Sequence, residues 1–314
     1  MSKLQDYIFI QKWNSFWFIN GPVHSLAIFR ILFGIYWLTR LIWWSPYVAL
    51  FFSREGMYFP ANSVKPIKIF NLDTLLAWLT HSPSETQGWF IYIISLILIL
   101  LIIIGFYTRI VLLLFFLFLN YYYYAYLYVY GTSYDRLIII ITFFLCLSPC
   151  GFAISLDQWL ANRRGDIKKK NHPLWTQRMI CIQIVIVYFA TGVHKLTSSA
   201  WINGDNLQSA LYGDYATSLG FWISQKGFSK GYYDLATIIV ILFEISMPVL
   251  LLNKKMQKWA FIFGTLFHVA NSSILWIPEF LVVICTYILF VDPNLVKKYL
   301  YKISDNELNS SILL

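Results

Sequence analysis

Gly88-Trp-Phe-Ile-Tyr-Ile-Ile-Ser-Leu-Ile-Leu-Ile-Leu-Leu-Ile-Ile-Ile-Gly-Phe-Tyr107 contains no charged residue and no proline. A bilayer core of ~30 Å is crossed by about twenty apolar residues in helical form, the length of this run. Lipid cannot satisfy free backbone amides and carbonyls, so such a run is a helix or part of a closed barrel, and an unbroken apolar stretch without alternation selects the helix. Seven further apolar runs surround it, at 23–44, 110–129, 137–151, 179–196, 235–252, 259–275 and 279–291. The expected fold is therefore all-α: a polytopic transmembrane helical bundle of about eight spans. Residues 1–20 precede it as an interfacial helix, 21–293 form the membrane domain, and 294–314 form a cytoplasmic tail.

Composition agrees with that class. The 314 residues are 59% hydrophobic, 19% aromatic and 12% charged, with a mean hydropathy of +0.62, too apolar for a soluble enzyme. The net charge of +9 gathers in short connections rather than on one face, which excludes a nucleic-acid partner and marks topology instead. Cytoplasmic loops carry the excess of Lys and Arg. Arg163, Arg164, Lys168, Lys169, Lys170 and Arg178, then Lys254, Lys255 and Lys258, then Lys297, Lys298 and Lys302 all fall inside if there are eight spans and both termini are cytoplasmic. Segments 45–87, 130–136 and 197–234 then face outward, and the tyrosine tract 120–130 lies in the outer headgroup belt. Residues 1–20 lack the pattern of a signal peptide. Cys146, Cys150, Cys181 and Cys285 lie in or beside apolar runs, so neither a zinc site nor a structural disulfide is expected. Ile- and Lys-rich usage points to a bacterial cytoplasmic membrane.

Charged and polar residues at membrane depth are functional candidates, because each carries an insertion penalty. Arg30 lies about two turns into the first span, and Glu244 sits near the middle of the sixth, with Thr237 at i−7 and Pro248 at i+4. These two are expected to form a buried structural pair. Lys195 stands near the outer end of the fifth span with Tyr188 and Thr191 behind it on the same face; snorkelling to the headgroups is the competing explanation. His268 belongs to a stripe of Gly264, Thr265, His268, Asn271 and Ser272 on one helical face. That stripe reads as a wet cavity or as a close helix contact. Asp135 and Asp157 sit at helix ends, where capping is the ordinary role.

Taken in order, several segments resemble the horizontally transferred transmembrane (HTTM) domain family, which shares its membrane module with vitamin K-dependent gamma-carboxylase. They are Ser25-Leu-Ala-Ile-Phe-Arg-Ile-Leu-Phe-Gly34, Phe51-Phe-Ser-Arg-Glu-Gly-Met57, Pro149-Cys-Gly-Phe-Ala-Ile-Ser-Leu-Asp157 and, most specific, Val187-Tyr-Phe-Ala-Thr-Gly-Val-His-Lys-Leu196. Trp201, Gly204, Glu244 near Pro248, and Phe267-His268 leading to Phe280 continue the pattern. The likeness runs from about residue 20 to residue 293.

What the resemblance implies is a Lys base at Lys195 acting on vitamin K hydroquinone or menaquinol. His268 is implied as a second catalytic group in the same outward-facing pocket, with Tyr188, Thr191 and Asn271 around the quinone, and no metal. The carboxylase has a lysine pair where this chain has His194-Lys195, so only the second is kept. It also continues into a large lumenal domain, so carboxylation of a Glu-rich protein is not expected of this chain. Stand-alone members also resemble a membrane component that matures secreted peptide toxins with a partner protein. That likeness implies the alternative role, a non-catalytic accessory factor for maturation or export of a secreted peptide. The partners implied are membrane lipid and a secreted peptide or accessory protein.

Overall fold

The computed structural model describes residues 2–56, 83–126, 133–166 and 171–311. Among the described residues the structure is helical apart from one two-residue extended pairing and one isolated bridge. In chain order the elements are α1 (Ser2–Phe18), β1 (Asn20–Gly21), α2 (His24–Trp44), α3 (Val48–Phe52), α4 (Glu85–Ile104), α5 (Thr108–Tyr126), α6 (Ser133–Leu147) and α7 (Leu156–Arg163). They continue with β2 (His172–Pro173), α8 (Trp175–Leu196), α9 (Ser199–Ile202), α10 (Asp205–Tyr212), α11 (Ser218–Ser224), α12 (Lys230–Leu252), α13 (Gln257–Ile274), α14 (Leu281–Thr286) and α15 (Pro293–Ser311). Helical residues occupy the described parts of the expected runs, the last of them as a short α-helix flanked by 3-10 turns at Pro278–Phe280 and Tyr287–Phe290. Among the described residues four runs are long and apolar enough to cross a bilayer: His24–Phe52, Glu85–Ile104, Trp175–Leu196 and Lys230–Leu252. The pair Pro278–Phe290 and Pro293–Lys302, bent by 90°, makes a fifth when counted as one. Residues 57–82 of the expected outer segment 45–87, and 127–130 of the tyrosine tract, lie outside the described residues.

The helix boundaries follow from local chemistry. Helix α4 opens with a capping box in which Gln87 N–H donates to Ser84 Oγ and Ser84 N–H donates to Gln87 Oε1 at 2.9 Å. It closes at Gly105, whose φ of 74° is left-handed, with the Gly105 and Phe106 amides donating to Leu101 O at 2.8 and 3.1 Å. A Cβ there would also meet Arg30 Nη1 at 2.5 Å and Ser155 Cβ at 2.6 Å, so packing and backbone both require glycine. Asp157 caps as expected, but it caps the start of α5: its carboxylate accepts the amides of Tyr107 and Thr108, both at 2.8 Å, and the Thr108 hydroxyl at 2.7 Å.

Two compact units divide the chain. The first comprises Met1–Thr176 with Val296–Leu314. Its core is built from Leu26, Phe29, Phe33, Ile99, Phe115 and Ile141, none of them measurably exposed. Arg30 is buried among them. Its Nη1 donates to Cys150 O at 2.9 Å and its Nη2 to Ile154 O at 2.5 Å, clipping the turn before α7, where Ile154 holds a φ of 46°. A β1–β2 pairing of Asn20 with Pro173 and Gly21 with His172 closes this unit.

The second unit is Gln177–Leu295. Helices α9, α10 and α11 form its loop-side layer, held by Leu211, Tyr233 and Leu275 and by an isolated bridge of Ala216 with Leu275. Lys230 ties the base of that layer. Its ammonium donates to Asn203 O and, at 3.1 Å each, to Asp205 and Asp234.

Protein buries only 28% of the most apolar window in α4, 22% in α8 and 28% in α12. Phe90, Ile93, Ile97, Leu100 and Ile104 leave one whole face of α4 exposed. Helices apolar on every side yet buried on only one need hydrocarbon against the rest.

Candidate functional site

Within the unit Gln177–Leu295, α8 presents Tyr188, Thr191 and Lys195 at i, i+3 and i+7, a single face spanning ~10.5 Å of helix axis. Helix α12 presents Thr237 and Glu244 with the same seven-residue interval. Close approach of the two helices is set by Gly192, where a Cβ would meet Ile245 Cγ1 at 2.7 Å and Glu244 Cβ at 3.3 Å. A larger residue there would hold Glu244 away from α8.

That approach brings Lys195 against Glu244. The ammonium donates to Glu244 Oε1, and the side chains are 14% and 5% exposed. The ammonium also lies 4.8 Å from the centroid of the Trp201 ring, a cation–π contact that covers it on a second side. Lys195 is thus held by protein rather than reaching freely for headgroups. Pro248, one turn beyond Glu244, has no N–H to offer the Glu244 carbonyl, so this stretch of α12 carries an extra acceptor.

Arg30 and Glu244 were expected to pair; they fall in different compact units, and the hydrogen bonds described for each lie within its own unit: Arg30 uses the carbonyls of Cys150 and Ile154, and Glu244 uses Lys195. A guanidinium with two distinct donors fits two carbonyls of a tight turn, whereas the compact ammonium of Lys195 fits one carboxylate oxygen.

The second cluster lies one to two turns along α8. Tyr188 Oη is 2.5 Å from His268 Nε2 and 2.8 Å from Tyr287 Oη, and all three residues are buried. The chain has two polarities, because each hydroxyl donates once and accepts as well. Either Tyr287 donates to Tyr188 and Tyr188 to His268, or the imidazole donates and the chain runs the other way. Phe280 stacks on His268 with centroids 5.3 Å apart, and Phe243 stacks on Phe267 at 4.2 Å. Gly264 admits Tyr287: a Cβ at that position would collide with the tyrosine hydroxyl and meet Met247 Cε at 3.1 Å.

Tyr188 and His268 therefore meet, as do Lys195 and Glu244, but the two pairs occupy successive levels of the helix face. Among the described residues no hydrogen bond joins Lys195 to His268. Thr191 sits between the levels, its hydroxyl donating back to Val187 O at 2.8 Å and Tyr188 O at 3.1 Å. Asn271 lies one turn beyond His268, half-buried, and its carbonyl accepts the Leu275 amide at 2.7 Å.

Among the described residues three buried polar atoms on α12 and α13 form no hydrogen bond: Glu244 Oε2, Thr237 Oγ1 and His268 Nδ1. Tyr287 and Trp201 belong to the site, although neither was picked out as a site group from sequence. One tyrosine among 22 carries no signal, and the only trace of Trp201 was its position in the family pattern.

A family model, the HTTM domain, matches residues 20–295, and no curated protein and no solved structure matches the chain. With nearly all of its length matched, and with helices apolar enough to cross a bilayer, this chain is a membrane protein that belongs to the HTTM-domain family.

Proposed function

We propose that the protein binds a reduced quinone, or a lipid of similar shape, among α8, α12 and α13, and that Lys195 acts there as the base of a carboxylase-like epoxidase. The observation that carries this reading is a buried lysine–carboxylate pair on helices that also carry buried polar atoms with no hydrogen bond among the described residues: Glu244 Oε2, Thr237 Oγ1 and His268 Nδ1. Buried polar atoms almost always have partners, so three without them favour a ligand that carries hydroxyl groups. Aromatic walls from Phe243, Phe267 and Phe280 suit a flat apolar ring.

A lysine is a base only as the neutral amine. Passage of the Nζ proton to Glu244 Oε1, along the hydrogen bond already formed, produces that amine and keeps the pair neutral overall. Lys195 then takes a proton from the ligand hydroxyl. A bound quinol supplies the redox chemistry, since its oxidation by dioxygen yields the quinone epoxide and one water. Tyr188 and His268 hold a proton chain whose polarity reverses without moving a heavy atom, which suits stabilising a developing oxyanion.

The eight helices are proposed to cross a bacterial cytoplasmic membrane with both termini on the cytoplasmic side, placing Lys195 near the outer face. Helix α1 lies along the inner interface and residues 294–314 form the tail. Epoxide formation by purified protein supplied with menaquinol and dioxygen is the test, wild type against Lys195→Ala. Epoxide lost in the variant supports the proposal, and none from well-folded wild type overturns it.

One observation favours a second role. The segment 197–234 is folded into α9, α10 and α11 and exposes Tyr212, Tyr215, Phe221, Trp222, Phe228 and Tyr232, a surface suited to a secreted peptide or accessory protein. A partner that co-purifies through these aromatics while Lys195→Ala is harmless would establish the accessory role in place of catalysis.

A further inference from the structure

Outside that site a cavity of about 460 Å³ lies in the unit containing α2 to α7. It opens where Gly105 ends the span Glu85–Ile104, the depth at which hydrocarbon gives way to headgroups. Phe106, Ile110 and Leu160 supply apolar wall. Four charged side chains line it: Arg109, Arg164, Asp157 and Asp166.

Asp157 is already committed, because its two oxygens take the Tyr107 amide, the Thr108 amide and the Thr108 hydroxyl. Among the described residues Arg109, Arg164 and Asp166 form no ion pair, and Arg109 rests only over the Phe152 ring, 5.9 Å from its centroid. Among the described residues these two guanidiniums and one carboxylate, all on exposed residues, form no ion pair and line a single half-apolar cavity at a span end, an arrangement that suits one complementary ligand. It has a phosphate for the two arginines, an amine for the aspartate and an apolar body for the wall. Guanidinium forks match phosphate oxygens in geometry as well as charge.

We propose that this cavity binds a phosphoethanolamine group, with the phosphodiester against Arg109 and Arg164 and the ammonium against Asp166. The same group arrives either on a phospholipid or as a soluble phosphodiester. The position at a span end favours the lipid.

Full-length protein is purified in detergent, mixed with phosphatidylethanolamine, phosphatidylglycerol and phosphatidylcholine in equal amounts, and its retained lipid measured by native mass spectrometry. Wild type retains phosphatidylethanolamine preferentially. Arg109→Gln with Arg164→Gln lowers that retention by about tenfold or more, the loss of two charge-assisted contacts. Asp166→Asn shifts the preference from phosphatidylethanolamine to phosphatidylglycerol. Arg163→Gln is the matched control, since that guanidinium stacks 4.1 Å from the Trp159 ring centroid and does not line the cavity, and it leaves retention unchanged. A thermal melt of each variant separates loss of lipid from loss of fold.

In a parallel arm glycerophosphoethanolamine is titrated into lipid-stripped protein and the shift in melting temperature recorded. A shift that needs both arginines, without lipid preference, supports the same group from a soluble source. The proposal is overturned if a folded Arg109→Gln/Arg164→Gln variant keeps the wild-type lipid profile, or if neither lipid nor soluble diester is bound above the Arg163→Gln background.

Discussion

Lys195 on α8 and Glu244 on α12 form an ion pair surrounded by protein on most sides, with Trp201 over the ammonium and one carboxylate oxygen that has no hydrogen bond among the described residues. A buried pair contributes little over apolar substitutes, but breaking it by removing one member leaves a charge stranded.

Glu244→Leu alone is therefore expected to destabilise the protein by about 3–5 kcal/mol, and Glu244→Leu with Lys195→Met by much less than the two single losses together. Thermal unfolding of the four proteins in one detergent measures this. Additive losses would mean that the two residues do not interact.

Arg30 acts on a different partner set. Arg30→Leu strands the carbonyls of Cys150 and Ile154, and Arg30→Lys cannot reach both in the guanidinium's fork geometry, so both variants lose stability, leucine by roughly 2–4 kcal/mol. Combined with Glu244→Leu, the Arg30→Leu loss is additive within about 0.5 kcal/mol, as expected of independent sites. A double variant more stable than additivity allows would restore the direct pairing.

Tyr188 is the middle member of its chain and Tyr287 an end. Tyr188→Phe leaves both His268 Nε2 and the Tyr287 hydroxyl unpaired, at about 1–3 kcal/mol, whereas after Tyr287→Phe the Tyr188–His268 bond survives. The first substitution should lower the melting temperature more than the second. The reverse order would place the junction of the network at Tyr287.

Gly264→Ala puts a methyl group where the Tyr287 hydroxyl now lies, and overpacking of this kind destabilises by about 1–3 kcal/mol. Gly231→Ala on α12, which meets no atom within 4 Å, is the control and should be neutral or slightly stabilising. If the proposed reaction is correct, epoxide formation falls with Gly264→Ala and not with Gly231→Ala.

Much of this architecture was legible without coordinates, and the reason is locality. The run Gly88–Tyr107 becomes α4 because apolarity over twenty residues and a Ser84 cap are properties of one segment. The faces Tyr188–Thr191–Lys195 and Gly264–His268–Asn271 follow from 3.6 residues per turn, so their members share a side in the folded protein as they do on a helical projection. The number of helices that qualify as spans was less legible. α13 and the bent pair beginning at Pro278 are apolar in part, and no local count decides whether lipid or protein covers the remainder.

The chain alone therefore determined that this is an all-helical membrane protein, where its helices lie, and which polar residues share a face. Tertiary structure decided the partners. Glu244 meets Lys195 across 49 residues of sequence, Tyr188 meets His268 across 80 and Tyr287 across 99, and Arg30 meets carbonyls 120 and 124 residues away. Charge complementarity alone admitted more than one buried cation for Glu244. What brings Lys195 to it is the packing of α8 on α12 at one height, which Gly192 sets through a contact no periodicity encodes.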